Sequence, residues 1–307
     1  MDISKVIIPT VGTHSHHFLP FTHVLPHALL PLNEKPALHY AAEESLAAQL
    51  RHFFIVTQKT QPAISSYFSM SNDTVSHLKE LGKEHLLEEI ERIIRIADFS
   101  YIPQEEFLGL GHALWLARHA IHKEHFGILL PHDIVVSKQS AMDQIIRIAR
   151  QEKASVIAVQ ELPSECLSQY GVIGIKKQIS HSLFHVSHIA HKPDNKTTPS
   201  HCAIVGRYVL SHKLFNALEE MTTYSVGEQL ELHDAINNMI HNGEKVLAYK
   251  IQGIRYDISS PIGWIKAVIG FSLQSPHHAP AIKRFIKDLE TTQSFFYNAS
   301  KTIEHSL

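Results

Sequence analysis

The chain is short of cysteine, of any excess of one charge, and of uninterrupted apolar sequence. Its 307 residues include two cysteines, Cys166 and Cys202, far apart and without C-x-x-C spacing. That excludes a disulfide framework and a cysteine-based zinc knuckle, and both are expected as thiols. With 28 basic and 30 acidic residues the formal charge is -2, so no field favours nucleic acid or an anionic membrane, and neither is expected as a partner. The longest apolar stretch, Phe18 to Leu32, is broken by Pro20, Pro26 and Pro31 and by His23 and His27. It falls short of the roughly 20 residues that a bilayer span needs. The start, Met1-Asp2-Ile3-Ser4-Lys5, has neither a basic segment nor a cleavage site, so a cytoplasmic protein is expected. Repeats, low-complexity segments and linkers are absent too, which favours one continuous domain over residues 1–307.

What is there is ample apolar material, 44% hydrophobic residues against 19% charged ones, enough to bury the core of one large α/β domain. Histidine is in excess at 25 residues scattered along the chain, a distribution unlike a metal-storage tract. Most of these, such as His39, His52, His77, His85, His119, His122, His125 and the His277-His278 pair, are read as surface or packing residues. The group His14-Ser15-His16-His17 is the exception, since clustered imidazoles suit a transition metal.

Val6-Ile7-Ile8, continuous and β-branched, reads as a strand buried on both faces. A helix over 37–50 and a second strand at Phe53–Thr57 complete a parallel strand-helix-strand start. The spacing predicts one amphipathic helix over 79–96, a helix from the Gly109–His112 turn through Ala120, and a strand at 127–131. A helix over 140–151 and a strand over 154–160 come next, then strands and turns between Tyr170 and Leu210. Helices at 213–220 and 231–241, a strand at 245–251 and a mostly helical tail from Pro261 close the chain.

Four segments carry chemistry. The first strand runs into a loop with Val11 and Gly12 and then prolines at 20, 26 and 31, a frame whose remaining prominent side chains are His16, His17, His23 and His27. Glycine permits close backbone approach to a phosphate, whereas a neutral imidazole lacks the charge and fork geometry of a guanidinium. In Gln104-Glu105-Glu106-Phe107-Leu108-Gly109-Leu110-Gly111-His112, Gln104 supplies a donor and an acceptor, and Gly109 and Gly111 a flat backbone patch. Leu129-Leu130-Pro131-His132-Asp133 ends a strand where α/β folds hold ligands. The fourth set comprises Tyr170-Gly171-Val172, Ala190-His191-Lys192-Pro193, Val205-Gly206-Arg207-Tyr208, and Gly227 with Gln229 and Leu232-His233-Asp234-Ala235-Ile236.

In this order, over nearly the whole chain, these segments resemble the sugar nucleotidyltransferase family, most closely its bacterial UTP:glucose-1-phosphate uridylyltransferase branch. The resemblance implies a Rossmann-like, GT-A-like α/β fold with a mixed, mainly parallel central sheet. A nucleotide-binding half would span about 1–136, a sugar-binding half about 137–260, and a helical tail about 261–307. The implied reaction joins UTP and glucose 1-phosphate into UDP-glucose with release of pyrophosphate, without a covalent intermediate. Catalytic loop positions fall on His16 or His17, His23 and His27, where the family carries arginine and lysines. Nucleotide contacts fall on Val11, Gly12, Gln104, Gly109 and Gly111, and sugar-phosphate contacts on Gly171, Lys192, Gly206 and Gln229.

By the same resemblance Mg2+ would be the cofactor, and its ligand positions fall on His132, Asp133 and Asp257. Alternation along a strand turns Asp133 away from the face of His132, and imidazole suits Mn2+ or Zn2+ better than Mg2+. A homo-oligomer is implied as well. Two functional readings follow: a uridylyltransferase altered by its histidines, in a sharper form active only in acid where they are charged, or a nucleotide-sugar binder without turnover that regulates or scaffolds a related enzyme.

Overall fold

The computed structural model describes residues 1–11, 13–58, 62–194, 197–224 and 229–291. Among the described residues the strands are β1 Lys5–Pro9, β2 Pro31–Leu32, β3 Lys35–Pro36, β4 His52–Gln58, β5 Asp98–Gln104, β6 His125–Leu129, β7 Asp133–Val136, β8 Ser155–Glu161, β9 Gly171–Gln178, β10 Leu183–His191, β11 Cys202–Ser211, β12 Val246–Lys250 and β13 Ile254–Asp257. The α-helices are α1 Ala37–Ala47, α2 Ala63–Tyr67, α3 Asn72–Glu80, α4 Glu84–Ile96, α5 Leu110–Leu116, α6 Ala141–Glu152, α7 Lys213–Tyr224, α8 Leu232–His241, α9 Pro261–Gln274 and α10 Ala279–Thr291.

Nine strands form one sheet in the order β5-β4-β1-β6-β11-β8-β12-β10-β9. The alternation of side chains along each strand splits the apolar residues between two cores. Val6 and Ile8 of β1 face α1 and α6 through Leu38, Ala41, Met142 and Ile145. Ile7 faces the opposite side, where Leu114 of α5, Leu214 of α7 and Ile236 of α8 pack. Helices thus cover both faces, and β1 is buried on both, as its unbroken Val-Ile-Ile run requires. Among the described residues no helix is long and apolar enough to cross a membrane.

The sheet is mixed, but the expectation that it is mainly parallel is corrected. Parallel pairing holds between β5, β4, β1 and β6 and between β8 and β12. Strand β11 runs antiparallel to both β6 and β8, and β10 to both β12 and β9. The single helix expected over 79–96 is two, because Gly82 at φ +64° ends α3 in a left-handed turn before α4 begins. The helix after Gly109 stops at Leu116 and gives way to a short 3-10 turn at Arg118–Ala120. Two pairs of strands outside the expected set matter for the site: β7 with β13, and β2 with β3.

Gly109 sits at φ +92°, and a Cβ there would lie 2.3 Å from the carbonyl oxygen of Leu230. Gly111 meets the same backbone, its N–H donating to that oxygen at 2.7 Å. These glycines let the start of α5 lie against the segment before α8. Gly109→Ala is expected to lower unfolding free energy by about 2 kcal/mol or more, from a strained φ plus the clash. Urea titration checks this, and unchanged stability would mean the turn is not held there.

Candidate functional site

A cavity of about 620 Å³ opens over the C-terminal ends of β1 and β6. One wall is Pro9, Thr10 and Val11 at the end of β1, with His16, His17 and His27 from the loop that follows. That loop is a set of short 3-10 turns at Thr13–Phe18, Phe21–His23 and His27–Leu29. It is fastened to α9: the Trp264 indole N–H donates to the Pro31 carbonyl at 3.0 Å, and Phe18 packs against Trp264. His27 is buried with its Nε2 at 2.9 Å from the Ile258 carbonyl oxygen, so one ring nitrogen is spent on backbone. His16 and His17 lie with ring centroids 3.9 Å apart.

The floor is built by the two-stranded ladder of β7 and β13, which sets Asp133 opposite Asp257 in register. Arg255, two residues before Asp257, grips Asp133 with Nε on Oδ1 at 2.6 Å and Nη2 on Oδ2 at 2.7 Å. The Gly206 N–H donates to the same carboxylate at 2.9 Å. Asp133 is therefore engaged in a buried, bidentate pair with Arg255, and its contact with Gly206 ties β11 to β7. Gly206 permits this approach, since a Cβ there would come within 2.7 Å of Leu130.

Arg255 also stacks over the Tyr170 ring, 4.4 Å to the centroid, and the Tyr170 hydroxyl donates to Asp257 Oδ2 at 2.8 Å. The Ser259 N–H donates to Asp257 Oδ1 at 2.9 Å. Burial raises the Asp257 carboxyl, but the charge on His132, the Ser259 hydrogen bond and Arg255 outweigh it and bring the pKa down to about 2. A pKa below the ordinary value of about 3.9 makes this contribution to stability fully present above that value, and it is lost as pH falls through about 2. A magnesium ion held by two carboxylates does not fit this donor set. Asp257 offers the remaining carboxylate, and His132 beside it is an imidazole suited to borderline metals.

The far wall carries Gly171, Ile189, His191, Lys192, Gln229 and Glu231. Lys192 adopts φ +44° directly after β10, where its N–H still donates to the Tyr170 carbonyl at 3.0 Å. His191 and His233 stack almost parallel, 4.1 Å between centroids and 5° between planes. Burial holds both imidazoles below the usual histidine value, and for His191 the neighbouring His233 and Lys192 add to the effect. Burial, then Asp234, raises the Glu231 carboxyl, with Lys192 opposing.

The cavity thus brings together Val11, His16, His17, His27, His132, Asp133, Gly171, Lys192, Gly206, Gln229 and Asp257. It does not bring in His23, which is exposed on its turn. Nor do Gln104, Gly109 and Gly111 line it. Gln104 is 1% exposed with Nε2 at 3.1 Å from His112 Nδ1, and the two glycines are occupied by close packing on Leu230. Gly12 and Gly227 lie outside the described residues. Arg255 and Glu231 were not singled out from sequence, and Tyr170 and His233 stood only within longer segments, without a role of their own. For Arg255 a signal exists, since it stands at i-2 from Asp257 and shares its strand face.

Among the described lining residues six are histidines, the permanent cations are Lys192 and Arg255, and the carboxylates are Asp133, Glu231 and Asp257.

The model of the family described as nucleotidyl transferase matches residues 11–295. A UTP--glucose-1-phosphate uridylyltransferase of Staphylococcus epidermidis is 36% identical over 288 residues, 94% of this chain and 99% of the relative. That of Staphylococcus haemolyticus is equally similar, 36% over 288 residues with the same coverage. Among solved structures, UDP-glucose pyrophosphorylase complexed with UDP-glucose superimposes with TM-score 0.81 at 29% identity, covering 89% of this chain and all of the other. UTP-bound UGPase from Acinetobacter baumannii gives TM-score 0.84 at 28% identity over 94% of this chain and all of the other. With its mixed nine-stranded sheet, its cavity over the ends of β1 and β6, and these relatives along almost its whole length, the chain belongs to the nucleotidyl transferase family.

Proposed function

We propose that this protein is a uridylyltransferase that joins UTP and glucose 1-phosphate to give UDP-glucose and pyrophosphate. The observation that carries the reading is that one cavity is walled by the loop after β1, the His132-Asp133 turn, and Gly171, Lys192 and Gly206. Those are the segments in which the sequence resembles uridylyltransferases. In the proposed reaction a phosphate oxygen of glucose 1-phosphate attacks the α-phosphorus of UTP in line. The new P–O bond forms as the bond from the α-phosphorus to the bridging oxygen breaks, and the electron pair leaves with pyrophosphate. No proton needs removal from an ionised phosphate oxygen, so positioning and charge carry the catalysis.

Lys192 would hold the sugar phosphate, with the neutral His191–His233 stack and Gln229 as hydrogen-bonding groups for the hexose. His16 and His17 would face the phosphates of UTP. A divalent metal in this family supplies charge neutralisation on the phosphates, and here His132 and Asp257 would hold it, a pair that favours Mn2+ or Zn2+. The nucleotide-binding half would be about 1–136, the sugar-binding half about 137–260 and the tail 261–307, in a GT-A-like, Rossmann-like unit. A cytoplasmic homo-oligomer is the expected form.

Because imidazoles stand where fixed cations are expected, pyrophosphate release is expected to rise about tenfold or more between about pH 7.5 and about pH 5.5. His191 and His233 are held low by burial and contribute last as pH falls. The assay is pyrophosphate release from UTP and glucose 1-phosphate with Mg2+, Mn2+ or Zn2+ at both pH values. A flat or falling profile would sink the imidazole assignment. No release at any pH, with UDP-glucose binding by calorimetry, would favour the second reading, a binder without turnover. That reading is supported by Arg255 being tied to Asp133, which leaves Lys192 as the permanent cation of the lining outside an ion pair among the described residues.

A further inference from the structure

Away from the cavity, on the flank where β3, α1, α2 and α4 meet, an imidazole and two carboxylates converge. His39 and Glu43 lie one turn apart on α1, and Glu89 approaches from α4. One nitrogen or oxygen atom from each lies within 4.8 Å of those of the other two. The His39 side chain is 1% exposed. Its Nδ1 is 2.9 Å from the Tyr67 hydroxyl, while its Nε2 makes no hydrogen bond and lies 3.3 Å from Glu43 Oε1. A buried imidazole nitrogen and a carboxylate oxygen so close are joined either by a proton on Nε2 or by a cation between them.

We propose that His39 Nε2, Glu43 and Glu89 bind one divalent transition-metal ion of the zinc class, with Lys35 as the cation that holds the place until the metal arrives. Three observations agree. Tetrahedral zinc with bonds of about 2.0–2.1 Å sets its ligand atoms roughly 3.3 Å apart, the spacing found between His39 and Glu43. The Tyr67 hydroxyl, 2.9 Å from Nδ1, is an outer partner of the kind a ligating histidine uses; when Nδ1–H donates to it, Nε2 keeps the lone pair that would meet the metal. The Lys35 ammonium stands 3.2 Å from Glu43 Oε1 and 2.8 Å from Glu89 Oε2, which marks where a cation sits. One ammonium faces two carboxylates there, with Arg92 only at the exposed rim, 3.9 Å from Glu43. Glu89 is 36% exposed although its Oε2 is covered, so an ion would enter from the solvent side as Lys35 swings out on its flexible stem. The bound ion would clip α1 to α4.

The test is calorimetric titration of the full chain with Zn2+, comparing wild type with E89Q, H39Q and K35M, each checked for folding by circular dichroism. The scattered histidines add background, so the differences carry the result. E89Q and H39Q are expected to weaken one zinc site by tenfold or more, and K35M to tighten it by tenfold or more by removing the competing ammonium. Co2+ should add visible d–d bands in wild type and K35M that are lost in E89Q. If H39Q fails to fold, E89Q and K35M decide, because both side chains reach solvent. Zinc affinity unchanged in E89Q, or not increased in K35M, overturns the proposal. Uridylyltransferase activity does not enter this test.

Discussion

Replacing Lys192 with methionine is expected to lower kcat/KM for pyrophosphate release by about 10²-fold or more, with the loss falling on glucose 1-phosphate rather than on UTP. Lys192 lines the cavity and makes no ion pair with a described residue, whereas Arg255 is held by Asp133. A phosphate dianion at the far wall therefore depends on one ammonium, flanked by imidazoles that burial keeps neutral near pH 7. Methionine keeps the apolar stem and removes the charge, so the comparison isolates electrostatics. The left-handed backbone at φ +44° is unchanged in its demands, because both residues have unbranched side chains. Steady-state kinetics at varied sugar phosphate and varied UTP separate the two effects. If the rise in KM fell on UTP alone, Lys192 would belong to the nucleotide and the orientation proposed for the cavity would be reversed. An unchanged kcat/KM would remove it from the site.

Arg255→Met is expected to cost about 3–5 kcal/mol of stability at neutral pH, the cost of leaving a buried carboxylate without its partner. Asp133 is 3% exposed, accepts from both Nε and Nη2 of Arg255, and retains only the Gly206 N–H afterwards. A double variant distinguishes this from a simple packing loss. The double variant D133N/R255M is expected to recover part of the loss, since neither charge remains to be desolvated. Urea denaturation at neutral pH reads all three proteins. The same substitution frees Tyr170 from its stacking partner and loosens its hydrogen bond to Asp257, so activity should fall along with stability.

The site was legible where chemistry is carried by residue type within a short motif. Lys192, Gly171, Gly206, Gln229, His132 and Asp257 reach one cavity although they are spread over about half the chain. Gly171 opens β9 and Lys192 follows its antiparallel neighbour β10, Gly206 lies within β11 where it runs antiparallel to β6, and His132 and Asp257 lie at the β7–β13 ladder, so pairing between distant strands brings them together. The proline frame suggests a cationic position at His23, and the short turn at Phe21–His23 leaves that residue exposed and outside the cavity lining. Gln104 and the two glycines were read as ligand contacts. The spacing of the two glycines serves equally well to seat α5 against Leu230, a packing demand that no local pattern reveals.

The amino-acid sequence by itself determined the alternation of strands and helices, the buried first strand, the proline-framed loop and the replacement of cations by histidine. Periodicity, β-branching and proline are local properties, and they act on neighbouring residues whatever the rest of the chain does. Only the tertiary structure decided which charges are available. Asp133 faces Arg255 because β7 pairs with β13 across more than 100 residues of sequence, and Glu44 of α1 is held by the fully buried Arg207 of β11 in the same way. A carboxylate in water is a candidate ligand for any cation, but one buried beside a guanidinium has already been matched. Which partner it finds depends on long-range register, because desolvation makes an unmatched charge too costly to leave inside.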